Sequence, residues 1–543
     1  MSSKLSKKQQ TTESALTTFR KYCGYLLDGA ISIYLILIIA VMPFYNEEGY
    51  AHIGTDKATF FRTVSVNGAK VVLPLLAVWL ILLVAEKIQK KEKFQVKLSV
   101  TDGFALLYVF SLILSYLCSD YKTDALWGAV GWYMGFVPQM ILLAIYFLVS
   151  RCWKPRKWIF GLFLPVSAVV FLLGILSRFG VYPGKLKFIS SGFISTIGNI
   201  NWYCGYLVSV FFVGYFLLWI SPKPQNKREL SGQILLILYA VIGFASLVTQ
   251  GSMSGLPALA VVLVVTFCLS AQNQRRMQMF GLLLLTLSAG CLIMLLLRIC
   301  LPERFNYEET ATDLLTYSIL PLIMVAVALF FYGLMIYAGK KEKYPVKAMK
   351  VAAKALAILC PVLLCTVIGM IIANTKHPGS LGVLSENPLF TFNAAWGSNR
   401  GGTWTIGIRC FGEQSFLHKL IGVGPDCMSA YLYNGGSESL VEAARTQFGE
   451  LTLTNAHCEW LTVLVNTGIL GLVGFAGMMV SAIVRFLKAG METLKKESLI
   501  AGACGLCLLA YTVNNSFSFQ QSMGVATIFV ILGMGERHIV EWR

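Results

Sequence analysis

One histidine stands where a long polar segment gives way to an apolar one. Residues 453–461 read LTNAHCEWL, and His457 lies at the start of the apolar run. A histidine changes charge near neutral pH, so at this position it can act as a general base. Glu459 follows two residues later and would point to another side of a helix, so it is not an obvious partner. The same position suits a histidine that only caps a helix at a membrane interface, and both interpretations stay open.

Two arginines of the same polar segment are candidates for binding an anion. Arg400 lies in the run SNRGGTW at 398–404, which ends in Trp404, and Arg409 follows. The planar guanidinium donates two parallel hydrogen bonds to phosphate oxygens. At a membrane interface, the phosphate would belong to a lipid headgroup or to a diphosphate-linked sugar. A lone arginine that extends to the interface, or forms a salt bridge, is the structural alternative.

A third candidate is a pair of asparagines further toward the N-terminus. Residues 195–202 read STIGNINW, and Asn199 and Asn201 precede an apolar segment. Their amide groups are suited to sugar hydroxyls. A turn or a helix N-cap would explain the same residues.

Several well-known chemistries have no support in this sequence. It contains no Walker A sequence, no Gly-x-Gly-x-x-Gly that opens a helix, no His-Glu-x-x-His, and no cysteine and histidine set with zinc spacing. The apolar segments also contain few ionisable groups, which ion-coupled transporters normally need. We therefore expect no metal site and no cofactor.

The elements that would position these residues are membrane spans. Of the 543 residues, 56% are hydrophobic and 13% are charged, about half the charged fraction of a soluble domain. The apolar residues form blocks of about 20, the length that crosses a bilayer as a helix. The sequence predicts an all-α, polytopic transmembrane helix bundle of about 14 spans, near the following residues: 25–44, 70–86, 100–118, 131–150, 158–178, 202–220, 231–249, 254–270, 279–298, 314–338, 351–373, 460–485, 499–513 and 520–535.

The distribution of charge predicts the orientation of these spans. The net charge is +18, and the lysines and arginines cluster in short connections such as 87–97, 151–157 and 340–350. With both termini in the cytoplasm, every basic connection falls on the cytoplasmic side, as the positive-inside rule requires. A nucleic-acid-binding protein would instead carry one contiguous basic patch. We therefore expect a multi-pass plasma-membrane protein that binds no nucleic acid.

One connection is much longer than the others. The sequence divides into an N-terminal bundle of about 11 spans (1–373), a polar extracytoplasmic loop (374–456) and about 3 C-terminal spans (457–543). Loops of this length on a rigid scaffold are common places for function.

In combination, four segments resemble the O-antigen ligase and O-antigen polymerase family of bacterial membrane glycosyltransferases. They are TIGNIN at 196–201, TQGSMS at 249–254, Arg400 with Trp404 leading to IGVGP at 421–425, and His457 with WL at 460–461 leading to GILGL at 468–472. They occur in the family's order, and the resemblance extends from about residue 100 to the C-terminus.

The resemblance implies a metal-independent transferase. Its donor would be a glycan linked to a polyprenyl diphosphate such as undecaprenyl diphosphate, and its acceptor a hydroxyl of a glycan, glycolipid or cell-wall component on the outer face. By position, Arg400 would contact the diphosphate and His457 would activate the acceptor. The motifs do not distinguish a ligase from a polymerase of envelope polysaccharide.

Two positions depart from the family's pattern. Met253 stands where an arginine is usual, and Cys458 follows the histidine where asparagine is common. Arg409 or Arg445 would then have to supply the missing positive charge at the substrate. Two alternatives remain: a flippase for lipid-linked oligosaccharides, and an inactive relative that only binds polyprenyl lipid.

Overall fold

A computed structural model describes residues 15–93, 97–156, 158–182, 184, 186, 190–492 and 496–539. Both chain ends, and Lys157 of the basic connection 151–157, lie outside the described residues. The N-terminal part contains six helices before a small hairpin: α1 (Ala15–Ile36), α2 (Ile53–Gln89), α3 (Val100–Cys118), α4 (Lys122–Trp127), α5 (Phe136–Arg151) and α6 (Trp158–Arg178). A π-helical turn, Leu37–Val41, extends α1.

The hairpin holds the two asparagines in place before the next helix. Strands β1 (Phe193–Ile194) and β2 (Gly198–Asn199) pair antiparallel, with Phe193 opposite Asn199. The helices that follow are α7 (Ile200–Trp219), α8 (Lys227–Thr249), α9 (Gly255–Ser270), α10 (Gln274–Cys300), α11 (Thr310–Thr316), α12 (Leu320–Lys340) and α13 (Val346–Lys376), with a 3₁₀ turn at Pro302–Arg304.

The predicted loop is largely helical. Two 3₁₀ turns, Gly382–Glu386 and Pro388–Phe390, precede four helices: α14 (Trp396–Glu413), α15 (Phe416–Ile421), α16 (Met428–Asn434) and α17 (Glu438–Phe448). These helices pack around a second, smaller hydrophobic core, in which Ile406, Met428 and Leu440 are buried together with Ala125 of α4 and Val465, a residue between His457 and the C-terminus. The chain ends with α18 (Glu459–Glu492), α19 (Lys496–Asn515) and α20 (Ser522–Ile539).

Eleven helices of the described chain are long and apolar enough to cross a membrane. The all-α polytopic bundle is therefore confirmed. Each of the 14 predicted spans falls on a helix, but α5 and α9 are shorter than a typical span, and α20 is outside the set of eleven. The count of 14, the sides of the membrane and the domain limits stay predictions.

α18 is broken at Gly468, in its first third. Gly468 has φ 68° and ψ −171°, a conformation that only glycine adopts readily. The carbonyls of Val465 and Asn466 thereby lose their helical partners, and they accept hydrogen bonds from the backbone N–H groups of Val423 (3.3 Å) and Gly424 (3.0 Å). The break seats the Gly-Val-Gly turn of the loop inside the bundle.

Candidate functional site

Arg400 is positioned by an unusual turn at the start of α14. Gly397, Ser398 and Asn399 all have positive φ angles, between 58° and 68°. This left-handed turn, which glycine and asparagine tolerate best, directs the Gly397 carbonyl at the arginine. The Arg400 side chain donates from Nη1 to that carbonyl at 2.8 Å and from Nε to the Phe517 carbonyl at 2.7 Å.

The charge of Arg400 is buried without a counterion. The residue is 8% exposed, and no carboxylate lies within salt-bridge distance in the described chain. Burial lowers the pKa of the guanidinium, although arginine stays protonated at any physiological pH. Nη2 donates to no group of the described residues, so this end of the fork is free for an anionic ligand.

His457 lies beside Arg400 in a strained turn before α18. Its φ is 49°, and its backbone N–H donates to the Asn455 side chain at 2.9 Å. Burial and the positive charge of Arg400 lower the pKa of His457 from 6.5 to about 4. Within the described residues, neither ring nitrogen makes a hydrogen bond, so the imidazole is neutral at pH 7 and does not cap the helix.

Two further contacts fix the relative position of the arginine and the histidine. The Thr403 hydroxyl donates to the Ala456 carbonyl at 2.9 Å, which joins α14 to the histidine turn. The ring of Phe519 meets the His457 imidazole edge-on, with centroids 4.9 Å apart. The sequence prediction that these two residues share one site is therefore compatible with the geometry.

The connection between α19 and α20 was missed by the sequence analysis. Residues 516–520 supply the carbonyl that holds Arg400, the ring that contacts His457, and a hydroxyl, on Ser516, that accepts from Trp460 Nε1 at 3.0 Å. The available signal was the polar run NNSFSFQQ at 514–521 between two apolar segments. Such a run is typical of an ordinary short connection between two helices, so it did not indicate a functional site.

Trp404 also lies at the site. Its ring is 5.9 Å from that of Phe517, and its buried Nε1 donates to no described group. An unpaired buried donor is uncommon in native structures. It is therefore available to a ligand with an acceptor oxygen.

The two asparagines cap a helix and also contact the 249–254 segment. The Asn199 side chain accepts from the backbone N–H of Asn201 at 2.9 Å, which is the N-cap of α7. The Asn201 side chain accepts from the Ser252 hydroxyl at 2.8 Å, so the two predicted segments meet. The Asn199 amide N–H₂ has no partner in the described chain.

A chain of buried polar groups continues from this contact towards α18. Ser252 shares a hydrogen bond of 2.8 Å with Ser254, which donates to the Cys204 sulfur at 3.7 Å. Cys204 in turn donates to Asn514 at 3.2 Å, and Asn514 to Asn515 at 2.7 Å. The four segments named in the resemblance thus approach one another.

The polar chain ends on a buried carboxylate. Glu459 is 1% exposed and accepts from Tyr511 at 3.0 Å, Gln520 at 2.7 Å and Asn515. It makes no hydrogen bond with His457 in the described chain. Three donors stabilise its charged form, and it anchors the start of α18.

Arg409 and Arg445 lie elsewhere. Arg409 is nine residues beyond Arg400 on the same helix, a rise of about 13 Å, and it contacts Glu413 at 3.4 Å and Ser439 at 3.0 Å. Arg445 is exposed on α17. In the described chain, no contact joins either arginine to Arg400 or His457.

The cation beside the Met253 segment is Arg178. It is 1% exposed and donates to the carbonyls of Thr249 at 2.8 Å, Gln250 at 2.6 Å and Ser191 at 2.8 Å. Sequence spacing gave no signal for this contact, because the partners are 71 and 72 residues apart.

Comparisons with known proteins add no identification: no family profile matches the chain, and no curated protein matches it significantly.

Proposed function

We propose that this protein is a membrane glycosyltransferase that moves a polyprenyl-diphosphate-linked glycan to an acceptor hydroxyl on the outer face. The observation that carries the proposal is the buried, unpaired charge of Arg400 beside a neutral histidine. A buried cation without a counterion is costly unless a ligand supplies the negative charge. The resemblance described above supports the same chemistry.

Arg400 would stabilise the leaving group. As the bond from the sugar to the diphosphate breaks, negative charge builds on the diphosphate oxygens. A fixed guanidinium in a site of low dielectric constant offsets that charge without reorganisation. The two backbone carbonyls that hold the guanidinium leave Nη2 for this contact.

His457 would take the proton from the acceptor hydroxyl. A pKa near 4 makes it a weak base in the protein alone; burial is the larger cause of that lowering, and the charge of Arg400 is the second. A bound diphosphate would neutralise the arginine and raise the pKa of the imidazole. The base would therefore strengthen when the donor is bound, which links proton transfer to donor occupancy.

The experiment is complementation of cells that lack the protein, with lipid-linked glycan and its transferred product as the two readouts. His457→Ala should lower the rate of transfer by about 10² to 10⁴. The lipid-linked glycan should then accumulate on the outer leaflet. His377→Ala, which changes an exposed histidine at the start of the 374–456 segment, should complement fully. The membrane abundance and thermal stability of both variants serve as controls.

Two outcomes would contradict the proposal. If a well-folded His457→Ala variant transfers glycan at the wild-type rate, the general-base role is wrong. If cells without the protein accumulate the glycan on the inner leaflet, the protein moves the lipid across the membrane and is a flippase. An inactive relative would leave no accumulated glycan on either side.

A further inference from the structure

A second group of polar side chains without described partners lies near the connection between α4 and α5 (128–135). Trp132 packs against Phe519, with ring centroids 4.6 Å apart, and Phe519 contacts the His457 ring. The next residue, Tyr133, lines a separate cavity of about 130 Å³. Because Trp132 and Tyr133 are consecutive residues, this cavity lies close to the surroundings of His457.

Arg62 of α2 supplies the positive charge of this cavity. Its guanidinium lies over the ring of Trp127 at 3.9 Å from the centroid. Such stacking uses the face of the guanidinium and holds the side chain in place, so the N–H groups at its edge can still donate to a ligand. In the described chain, Arg62 has no carboxylate partner and makes no side-chain hydrogen bond.

Three hydroxyl groups line the same cavity. They belong to Thr59, Tyr133 and Ser522, and none has a hydrogen-bond partner among the described residues. Ser522 is 2% exposed, so its hydroxyl reaches little besides the cavity. None of the described residues that line the cavity is an Asp or a Glu. Hydroxyls donate as well as accept hydrogen bonds, and Arg62 and Thr59 are exposed at the mouth of the cavity, so the single positive charge with no carboxylate beside it is what favours a negatively charged ligand that accepts hydrogen bonds.

The surroundings of the cavity are suited to a lipid. Only 6% of the apolar window of α2 is buried, so this helix faces outward along most of its length. Val66 and Leu73 lie on the same side of α2 as Arg62 by helical spacing, and they are 37% and 58% exposed. An acyl or prenyl chain can therefore lie along α2 while its headgroup enters the cavity.

We infer that this cavity binds the anionic phosphate headgroup of a membrane lipid. Arg62 pairs with the phosphate, and the hydroxyls of Thr59, Tyr133 and Ser522 donate to its other oxygens. A phosphate that binds through a guanidinium and several donors is held in one orientation. The inference does not depend on glycosyl transfer, since it concerns a different cavity and needs no reaction.

The test measures lipid retained by the purified full-length protein by native mass spectrometry. The probes are dioleoylphosphatidylglycerol and dioleoylglycerol, which share acyl chains but differ in the headgroup phosphate. Undecaprenyl phosphate and inorganic phosphate are added in separate arms. We expect the wild-type protein to retain phosphatidylglycerol or undecaprenyl phosphate at one more site than Arg62→Gln, with affinity at least about tenfold higher.

Matched variants separate binding from folding. Lys70→Gln removes an exposed charge two turns further along α2 and should retain lipid like the wild type. Tyr133→Phe removes one donor and keeps the ring, and should weaken retention by about fivefold. It keeps the inference testable if Arg62→Gln unfolds, which thermal unfolding without added lipid would reveal.

The arms distinguish the sources of the phosphate. Preference for undecaprenyl phosphate identifies a donor-type lipid, and equal or greater retention of phosphatidylglycerol identifies a structural membrane lipid. Displacement of both by inorganic phosphate alone would show that the headgroup supplies the binding. The inference is overturned if dioleoylglycerol is retained as well as phosphatidylglycerol, or if Arg62→Gln and Tyr133→Phe both retain lipid like the wild type.

Discussion

The substitution Arg400→Gln separates the electrostatic role of the arginine from its structural role. The wild-type side chain makes two charge-assisted hydrogen bonds to backbone carbonyls, at 2.7 and 2.8 Å. Their loss destabilises the fold by about 1.5–3 kcal/mol each. Removal of an unpaired buried charge offsets this, since such a charge costs several kcal/mol. We therefore expect the free energy of unfolding without ligand to change by less than about 2 kcal/mol.

The anion-bound state should respond much more strongly. At 100 times its dissociation constant, a diphosphate lipid stabilises the wild-type protein by about 2.7 kcal/mol. Loss of one charged hydrogen bond, about 1.5–3 kcal/mol, weakens binding by about 13-fold to 160-fold. At the same ligand concentration, the stabilisation of the variant should then fall to between about 0.3 and 1.3 kcal/mol. Arg400→Lys should recover little, because a point charge cannot reach both carbonyls and the ligand.

The assay is unfolding of the purified protein with and without undecaprenyl diphosphate. Arg304→Gln is the matched control, since Arg304 is an exposed arginine with no side-chain partner in the described chain. It should keep the full ligand-induced stabilisation. Equal stabilisation of wild type and Arg400→Gln would refute the reasoning, because Arg400 would then only anchor residues 516–520.

Two further predictions follow from the same geometry. Because the pKa of His457 is lowered to about 4, the neutral base persists to low pH, so kcat/KM should fall only as pH drops through about 4. The acidic limb of the kcat profile should lie at higher pH, because bound diphosphate raises the pKa of the histidine. Burial raises the pKa of the Asp426 carboxyl to about 7, so Asp426→Asn shows whether a limb near 7 comes from that carboxyl. Acidic limbs at 6.5 in both profiles would contradict the link between donor binding and the pKa of His457. Gly468→Ala should lower the thermal stability by several degrees, because a Cβ there would lie 2.4 Å from the Leu420 backbone. Gly369→Ala, with open space at its Cβ, should not, and equal melting temperatures would show that the break in α18 is not required.

The spans could be predicted because lipid imposes a simple rule. A segment of about 20 apolar residues must be helical, since every backbone group needs an internal partner. The helices of the 374–456 segment obey no such rule. α14 contains five glycines between 397 and 412, so propensity alone argues against a helix there. Burial of Ile406 and Cys410 in the local core decides the outcome.

The site was only partly visible in the sequence for a similar reason. Arg400 and His457 are recognisable by their chemistry, but each also has a partner more than 50 positions away along the chain. The Phe517 carbonyl that holds Arg400 is a backbone group, 117 residues along the chain. A backbone carbonyl has no sequence signature. Asn199 illustrates the converse, because its sequence suggested sugar binding while its oxygen caps α7.

Two buried arginines, Arg178 and Arg400, could supply the positive charge that Met253 does not. Arg178 gives the 249–254 segment a positive charge, with the Tyr307 ring 4.1 Å away. Arg178 is 1% exposed, and its Nε, Nη1 and Nη2 each donate to a backbone carbonyl. It would therefore attract an anion through its electric field and not by direct contact. Arg400 is 8% exposed and keeps Nη2 free. If the proposed function is correct, direct contact with a diphosphate would therefore fall to Arg400, and Met253, 44% exposed, would offer the lipid an apolar surface in place of a second guanidinium.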